Sequence, residues 1–259
     1  MSEKGKRSTV KRRVLILQKL GLEGQVDVNA LSKELDVSEV TIRNDLTKLE
    51  EKKMLIRARG GAIKLDGVGK DFHLADKNKQ HYEEKKRIGE AAAALIEDND
   101  TIILDSGTTT IEIAKHLSKV KHLTIITNAL NVANEVAEFE NTNVIIPGGF
   151  LRKNSLSLIG AAASENFKNY FCDKLFLAVD GFSTIHGLST PNVDEAHLNR
   201  IMIEIAKKVI VVADSSKFLR RSLAYIAPVS KVDTVVTDSG ILPEDQKKLE
   251  NAGIEVIIV

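Results

Sequence analysis

Apolar residues in the first part of the chain recur at helical spacing. Over 38–49, Ile42, Leu46 and Leu49 share one side while Thr41, Asn44 and Lys48 fall on the other, the pattern of an amphipathic helix. A shorter helical run over 28–35 precedes it across Asp36 and Val37. Asp27 and Ser38 stand immediately before these two runs, where a side-chain oxygen can accept an orphan N–H of the first helical turn. Past residue 53 the period changes: 55–59 and 62–65 alternate around Gly60-Gly61, which predicts a tight hairpin. The stretch 65–81 is polar and lacks periodicity, as a linker would. Beyond it helical runs at 83–96, 109–117 and 130–139 alternate with apolar runs at 101–104, 123–127 and 143–146, and further strands are expected at 174–179, 209–213, 234–237 and 255–258. Apolar strands separated by helices predict a largely parallel sheet covered on both faces. The expected organisation is α/β, with a small head at 1–64, a linker at 65–81 and a larger domain at 82–259.

Two short capped helices joined by a tight turn have the sequence form of a helix-turn-helix, whose second helix enters the DNA major groove with its first residues against base edges. Ser38, Glu39, Thr41, Arg43, Asn44 and Lys48 are then the candidate interface, with Arg43 and Asn44 as base readers. Alternation puts Arg57 and Arg59 on one face of the hairpin, as in a basic wing beside phosphates. Asp45 would repel phosphate, so it is expected in an internal ion pair with Arg43 or another basic neighbour. The plainer alternative is a small helical domain whose charged face meets only water.

Charge favours the DNA reading. Residues 1–64 hold 15 Lys and Arg against 9 Asp and Glu, whereas the whole chain holds 37 against 36; the rest therefore carries 22 against 27. A basic head on an acidic body suits attraction to phosphate at one end and disfavours indiscriminate coating of nucleic acid. The basic run Lys4, Lys6, Arg7, Lys11, Arg12 and Arg13 either touches phosphates or is a solvated tail. At 259 residues each of two domains can bury a core. A single cysteine, Cys172, precludes an internal disulfide, and no apolar run could span a bilayer, so a cytoplasmic protein without membrane attachment is expected. Cys172 follows Phe171 in an apolar setting and reads as a buried structural thiol. The six histidines lack metal-ligand spacing, so neither a metal nor a cofactor is implied.

Ligands of parallel sheets bind beyond the carboxyl ends of the strands. The first such loop is Asp105-Ser106-Gly107-Thr108-Thr109-Thr110. Hydroxyls, a glycine and free amides at a helix start are what a phosphate needs, although serine and threonine are also ordinary caps. Equivalent loops carry Thr127-Asn128, Gly148-Gly149, Asp180-Gly181 and Asp214-Ser215-Ser216-Lys217. Lys217 would supply the counter-charge, and Arg152 or Lys153 could add more. The glycine pair could equally be a turn, and Asp180 a cap.

The segments Ser38-Glu-Val-Thr-Ile-Arg-Asn-Asp-Leu, Ile-Leu-Asp105-Ser-Gly-Thr-Thr-Thr, Asn131-Val-Ala-Asn, Ser189-Thr-Pro-Asn-Val-Asp-Glu-Ala and Val212-Ala-Asp-Ser-Ser-Lys-Phe resemble the DeoR family of bacterial sugar-operon regulators. The likeness spans nearly the whole chain and is nearest to the branch of N-acetylgalactosamine-operon repressors. It implies a winged helix-turn-helix followed by a sensor domain similar to ribose-5-phosphate isomerase and the hexosamine-phosphate deaminases. Carried over residue by residue, that similarity assigns Ser106 to Thr110 and Lys217 to a phosphate and puts Asp180 and Glu195 near sugar hydroxyls. The isomerase pattern has a lysine where this chain has His186, which implies binding without turnover. The leading expectation is a sugar-phosphate-controlled regulator of double-stranded operator DNA, a repressor acting as a homo-oligomer, dimer or tetramer. An isomerase or deaminase with an accessory DNA-binding head is the alternative, and a protein-binding head the plainest reading.

Overall fold

In the computed structural model the described residues are 3–23, 25–52, 54–58, 60–64 and 71–259. The chain divides into two compact units, Met1–Gly67 and Val68–Val259.

The smaller unit runs α1 (Glu3–Glu23), β1 (Gln25–Asp27), α2 (Val28–Glu34), α3 (Glu39–Glu51), β2 (Leu55–Ala58) and β3 (Gly61–Lys64). Asp27 accepts from the Ala30 amide at 2.9 Å and Ser38 from the Thr41 amide at 3.2 Å, so both predicted caps form. Between the helices Asp36 takes φ +49, and the Ser32 hydroxyl closes the turn on the Val37 carbonyl at 2.6 Å. Ile16 and Leu20 of α1, Leu31 of α2 and Ile42, Leu46 and Leu49 of α3 meet in one core with Leu55 and Ala62. The three strands form an antiparallel sheet in the order β1-β3-β2. The hairpin differs from expectation by one residue: Ala58 pairs with Gly61, so Gly61 belongs to a strand and only Gly60 takes positive φ, +78. Gly61 is glycine for another reason. A Cβ there would lie 2.0 Å from the Val26 carbonyl oxygen of β1, a strand too short to show an alternating pattern. Arg59 lies outside the described residues.

In the larger unit, α4 (Leu74–Lys79) and α5 (Tyr82–Ala93) lead into β4 (Thr101–Leu104), α6 (Thr110–Ala114), β5 (Leu123–Thr127), α7 (Leu130–Val136) and β6 (Thr142–Ile145). Then come β7 (Phe150–Arg152), β8 (Ser157–Ile159), α8 (Ala161–Phe167), β9 (Cys172–Ala178), β10 (Gly181–Ser183), β11 (Gly187–Thr190), α9 (Val193–Ile205) and β12 (Ala206–Val212). The chain ends through β13 (Ala224–Tyr225), β14 (Thr234–Thr237), α10 (Pro243–Asn251) and β15 (Glu255–Ile258). Seven strands in the order β15-β14-β12-β9-β4-β5-β6 form a sheet in which each neighbouring pair is parallel.

Successive strand residues feed opposite faces, as the pleat requires. Leu175, Leu177, Val209 and Val211 pack with Phe167 of α8 and Met202 of α9, whereas Phe176, Ile210 and Val212 pack with Ile88 of α5, Ile113 of α6 and Val132 of α7. Strand order runs outward from β4 in one direction and from β9 in the other. The β4–β9 junction is therefore the switch point where such sheets open a crevice. The segment expected as linker behaves differently over its described part: residues 71–81 contain α4 and are fastened into this unit, with the Leu74 amide donating to the Asn154 carbonyl at 2.8 Å. Residues 65–70 lie outside the described part.

Candidate functional site

A pocket opens at the switch point. The loop after β4 supplies Asp105, Ser106, Gly107, Thr108 and Thr109, the end of β9 supplies Asp180, and the turn after β12 supplies Lys217. Glu195 and Asn199 reach it from α9, and Lys77 from α4. Asp105 to Thr109, Asp180, Glu195 and Lys217, distant in sequence, thus meet.

The loop 106–109 is built to present donors. Among the described residues the Gly107, Thr108 and Thr109 amides have no protein acceptor. Thr110 ties the loop by donating to the Gly107 carbonyl at 3.2 Å, and a Cβ on Gly107 would sit 2.6 Å from that of Ala178, so glycine is required for the close approach. Helix α6 has only five residues; the loop's own amides and hydroxyls, more than a helix dipole, are what it offers an anion.

Opposite the loop lie carboxylates already engaged. Asn192 caps α9 through the Glu195 amide at 3.0 Å. The Glu195 carboxylate accepts from Ser155 at 2.7 Å, Ser157 and Arg152 at 3.0 Å and Thr190 at 3.3 Å. Asp180 lies 2.7 Å from the Lys77 ammonium and 3.9 Å from that of Lys217. Burial alone would raise the Asp180 pKa, but these two ammonium groups outweigh it and hold the carboxyl below its ordinary value. Asp214 follows the same logic: burial pushes it up, and Lys217, His81 and a bond from Ser216 bring it below. Asp105 has no such cation. Burial lifts it to about 8, against the Ser106 amide and with the Glu195 charge adding to the rise, so at neutral pH it holds a proton and can donate. Lys85, buried on α5, is lowered by burial to about 8, Asp214 resisting and Lys217 and Lys77 assisting.

Several expected residues lie off the pocket wall. Thr127 is a loop clasp, donating to the Leu104 carbonyl at 2.7 Å and accepting from the Ala129 amide at 3.1 Å. Asn128 is buried with its carbonyl bound to the Leu158 amide at 2.7 Å. Gly148 and Gly149 take φ +82 and +128 in the irregular connection between β6 and β7, and Gly181 packs where a Cβ would lie 2.7 Å from the Arg220 carbonyl oxygen. Lys153 is exposed; its neighbour Arg152 carries the charge inward to Glu195, with Asp71 on its other nitrogen. His186 sits exposed on the β10–β11 turn and lines a different groove. Sequence reasoning missed Lys77, Asn199 and Ser155, whose only signal was polarity, and Thr190, which lies in the Ser189–Ala196 segment but was assigned no role. Cys172 is buried and its thiol is pushed up to about 12 by burial and Asp173.

On the smaller unit, Ser38, Glu39, Arg43, Asn44 and Lys48 are exposed on α3, with Thr41 half-buried. Arg43 pairs with Glu39 at 3.0 Å and Lys48 with Glu51 at 2.8 Å. Val40 is apolar yet 66% exposed beside them. The Arg57 guanidinium donates to the Thr47 hydroxyl at 2.7 Å and its amide to Glu50 at 2.9 Å, which fastens the hairpin to α3. Asp45 is internal, and of the basic neighbours expected its partners are Arg12 at 2.5 Å and Arg13 at 2.7 Å; Arg43, two residues earlier in α3, is exposed and lies on the other side of the helix. Among the described residues no helix is long and apolar enough to cross a membrane, and no cluster of three or more His, Cys, Asp or Glu could hold a metal.

Residues 12–67 match a family model described as the DeoR-like helix-turn-helix domain, and residues 80–239 match the DeoR C-terminal sensor domain. The chain belongs to the DeoR family. As a DeoR-family transcriptional regulator it carries α3 in the DNA-binding domain and the switch-point pocket in the sensor domain. A relative in Escherichia coli O157:H7 named as an aga operon transcriptional repressor is 42% identical, covering 99% of this chain and 96% of its own. The transcriptional repressor GlcR of Bacillus subtilis (strain 168) is 36% identical, with 95% of each chain covered. Among solved structures, ribose 5-phosphate isomerase A of Methanocaldococcus jannaschii aligns with a TM-score of 0.40 at 15% identity over 54% of this chain and 55% of its own, a likeness too slight to carry argument.

Proposed function

We propose that this regulator represses a carbohydrate-catabolism operon, binding double-stranded operator DNA through the smaller unit and answering to a sugar phosphate held in the switch-point pocket. The observation that carries the reading is that Lys217 lines the same pocket as the 107–109 loop, whose amides have no protein acceptor among the described residues, in a chain whose other unit is a helix-turn-helix domain. Amides and hydroxyls of 106–109 grip the phosphate and Lys217 supplies the opposing charge. Glu195, Asp180 and the protonated Asp105 meet sugar hydroxyls. On DNA, Arg43 and Asn44 read bases, with Ser38, Glu39, Thr41 and Lys48 beside them, and Arg57 and Arg59 serve as phosphate partners. The protein acts in the cytoplasm as a homo-oligomer, dimer or tetramer, because one small head reads too few base pairs for useful specificity.

The pocket binds without turnover. Glu195 is held by four donors and Asp180 by two ammonium groups, so neither carboxylate is left as a free base, and His186 lies on another groove. The test is operator binding titrated with pentose, hexose and hexosamine phosphates, run beside a turnover assay. Wild type responds to one of them without consuming it. Lys217→Ala and Thr109→Val bind operator normally but lose the response, since a ligand acts only through its differential affinity for two states of its receptor. A wild-type response in Lys217→Ala would remove Lys217 from the phosphate site, and measurable turnover would restore the enzyme reading.

A further inference from the structure

Helix α4 lies on the larger unit with only Leu74 and Lys77 half-buried. None of its residues is buried, so apolar packing does little to fix its position. Its attachments are the Leu74 amide on the Asn154 carbonyl, Lys77 on Asp180, and the Lys85 ammonium, which donates to the Lys77 carbonyl at 2.5 Å and the Gln80 carbonyl at 2.7 Å. His81, between α4 and α5, takes the left-handed φ of +52, a conformation that costs a residue with a side chain. Segments with few apolar contacts open at low free energy.

Asp180 is surrounded by cations: Lys77, Lys217 and Arg220 act on it, while Lys217, His81 and Lys85 act on Asp214. Asp180 serves both Lys77, at 2.7 Å, and Lys217, at 3.9 Å. A monoanion shared between two cations is a weak counter-ion for either, and a phosphate dianion on the adjoining 106–109 loop is a stronger one.

We propose that Lys77 is a ligand-binding residue of the pocket and that α4 is a strap that tightens on occupancy, because the phosphate takes Lys77 over from Asp180. Arg152 makes a second connection, holding Glu195 with one nitrogen and Asp71, just before the strap, with the other. The strap begins at Leu74, a few residues past the boundary between the units at Gly67 and Val68. Occupancy therefore acts on residues 71–80, the described segment that follows that boundary in the chain. The inference rests on the sugar-phosphate reading above.

Amide hydrogen exchange on the full-length chain tests it, with ribose 5-phosphate, glucose 6-phosphate, glucosamine 6-phosphate, galactosamine 6-phosphate and inorganic phosphate as probes. The compound that raises the melting temperature should slow exchange across 74–80 several-fold in wild type. Lys77→Gln should bind that compound about tenfold more weakly and show no slowing, while Lys77→Arg, which keeps the charge, should recover both. If wild type binds a sugar phosphate but exchange at 74–80 is unchanged and Lys77→Gln binds equally well, the strap is wrong and the sensor reading stands. If no compound binds wild type, both fall.

Discussion

At the scale of single residues, Asp45 shows how a charge in a DNA-binding helix can serve the fold. Its carboxylate is 2% exposed and takes the guanidinium groups of Arg12 and Arg13, themselves 14% and 26% exposed. Removing one member of a buried pair typically costs about 3–5 kcal/mol, because the partner's charge stays behind unpaired. Water reaches both arginines in part, so the expected loss for Asp45→Ala is about 2 kcal/mol once screening is allowed for. Calorimetry on the full chain should show the melting of the smaller unit move down while that of the larger unit stays. An unchanged profile would mean that the pair is electrostatically idle. Arg43→Ala, which removes only an exposed i,i+4 partner of Glu39, should leave that melting temperature almost unaltered.

At the scale of elements, the hairpin owes its form to two adjacent glycines with different tasks. Gly60 supplies a turn at φ +78 and has open space, the nearest atom to an added Cβ lying 3.6 Å away. Alanine there costs about 1 kcal/mol of backbone strain. Gly61 has an ordinary φ but no room, since the carbonyl of Val26 would lie at 2.0 Å, and relieving such overpacking costs about 1–3 kcal/mol. Gly61→Ala should therefore destabilise the unit more than Gly60→Ala. Hydrogen exchange would report it at β1 and β3, which must part, while β2 and β3 stay paired. Equal effects at the two positions would show that β1 yields freely.

At the scale of the whole molecule, two buried groups of the sensor unit shape its response to pH. Asp105 keeps its proton to about pH 8 in the folded state, whereas the unfolded chain releases it near 3.8. Between those values the folded state binds more protons, so stability falls as pH rises. Lys85 works in the opposite direction over the next interval. Its folded pKa of about 8 lies below the 10.5 of the unfolded chain, so stability rises from pH 8 toward 10.5. Together they contribute a minimum near pH 8. Melting curves from pH 5 to 10 for wild type and Asp105→Asn should converge at the acid end and separate as pH rises to 8, the variant becoming the more stable. Parallel curves would mean that Asp105 ionises normally.

The sequence by itself determined what periodicity and local hydrogen bonding can carry. The caps at Asp27 and Ser38, the buried side of α3, and the strands β4, β5, β14 and β15 follow from residues within a few positions of one another. The parallel sheet follows from continuous apolar strands that can be buried only between two layers. Half of the candidate pocket was legible in the same way, because loops after parallel strands face the same crevice wherever they stand in the chain. Tertiary structure alone decided which charges meet. Lys77 lay in a stretch too short and polar to show a period, yet it faces Asp180 across 103 positions. Arg152 rather than Lys153 reaches Glu195, because the β7–β8 ribbon turns one inward and leaves the other in water. Gly61 is dictated by a carbonyl in β1, and Asp45 by arginines in α1. Local sequence sets backbone conformation, which is a short-range matter; contacts between distant residues depend on how whole elements pack, and no local pattern records that.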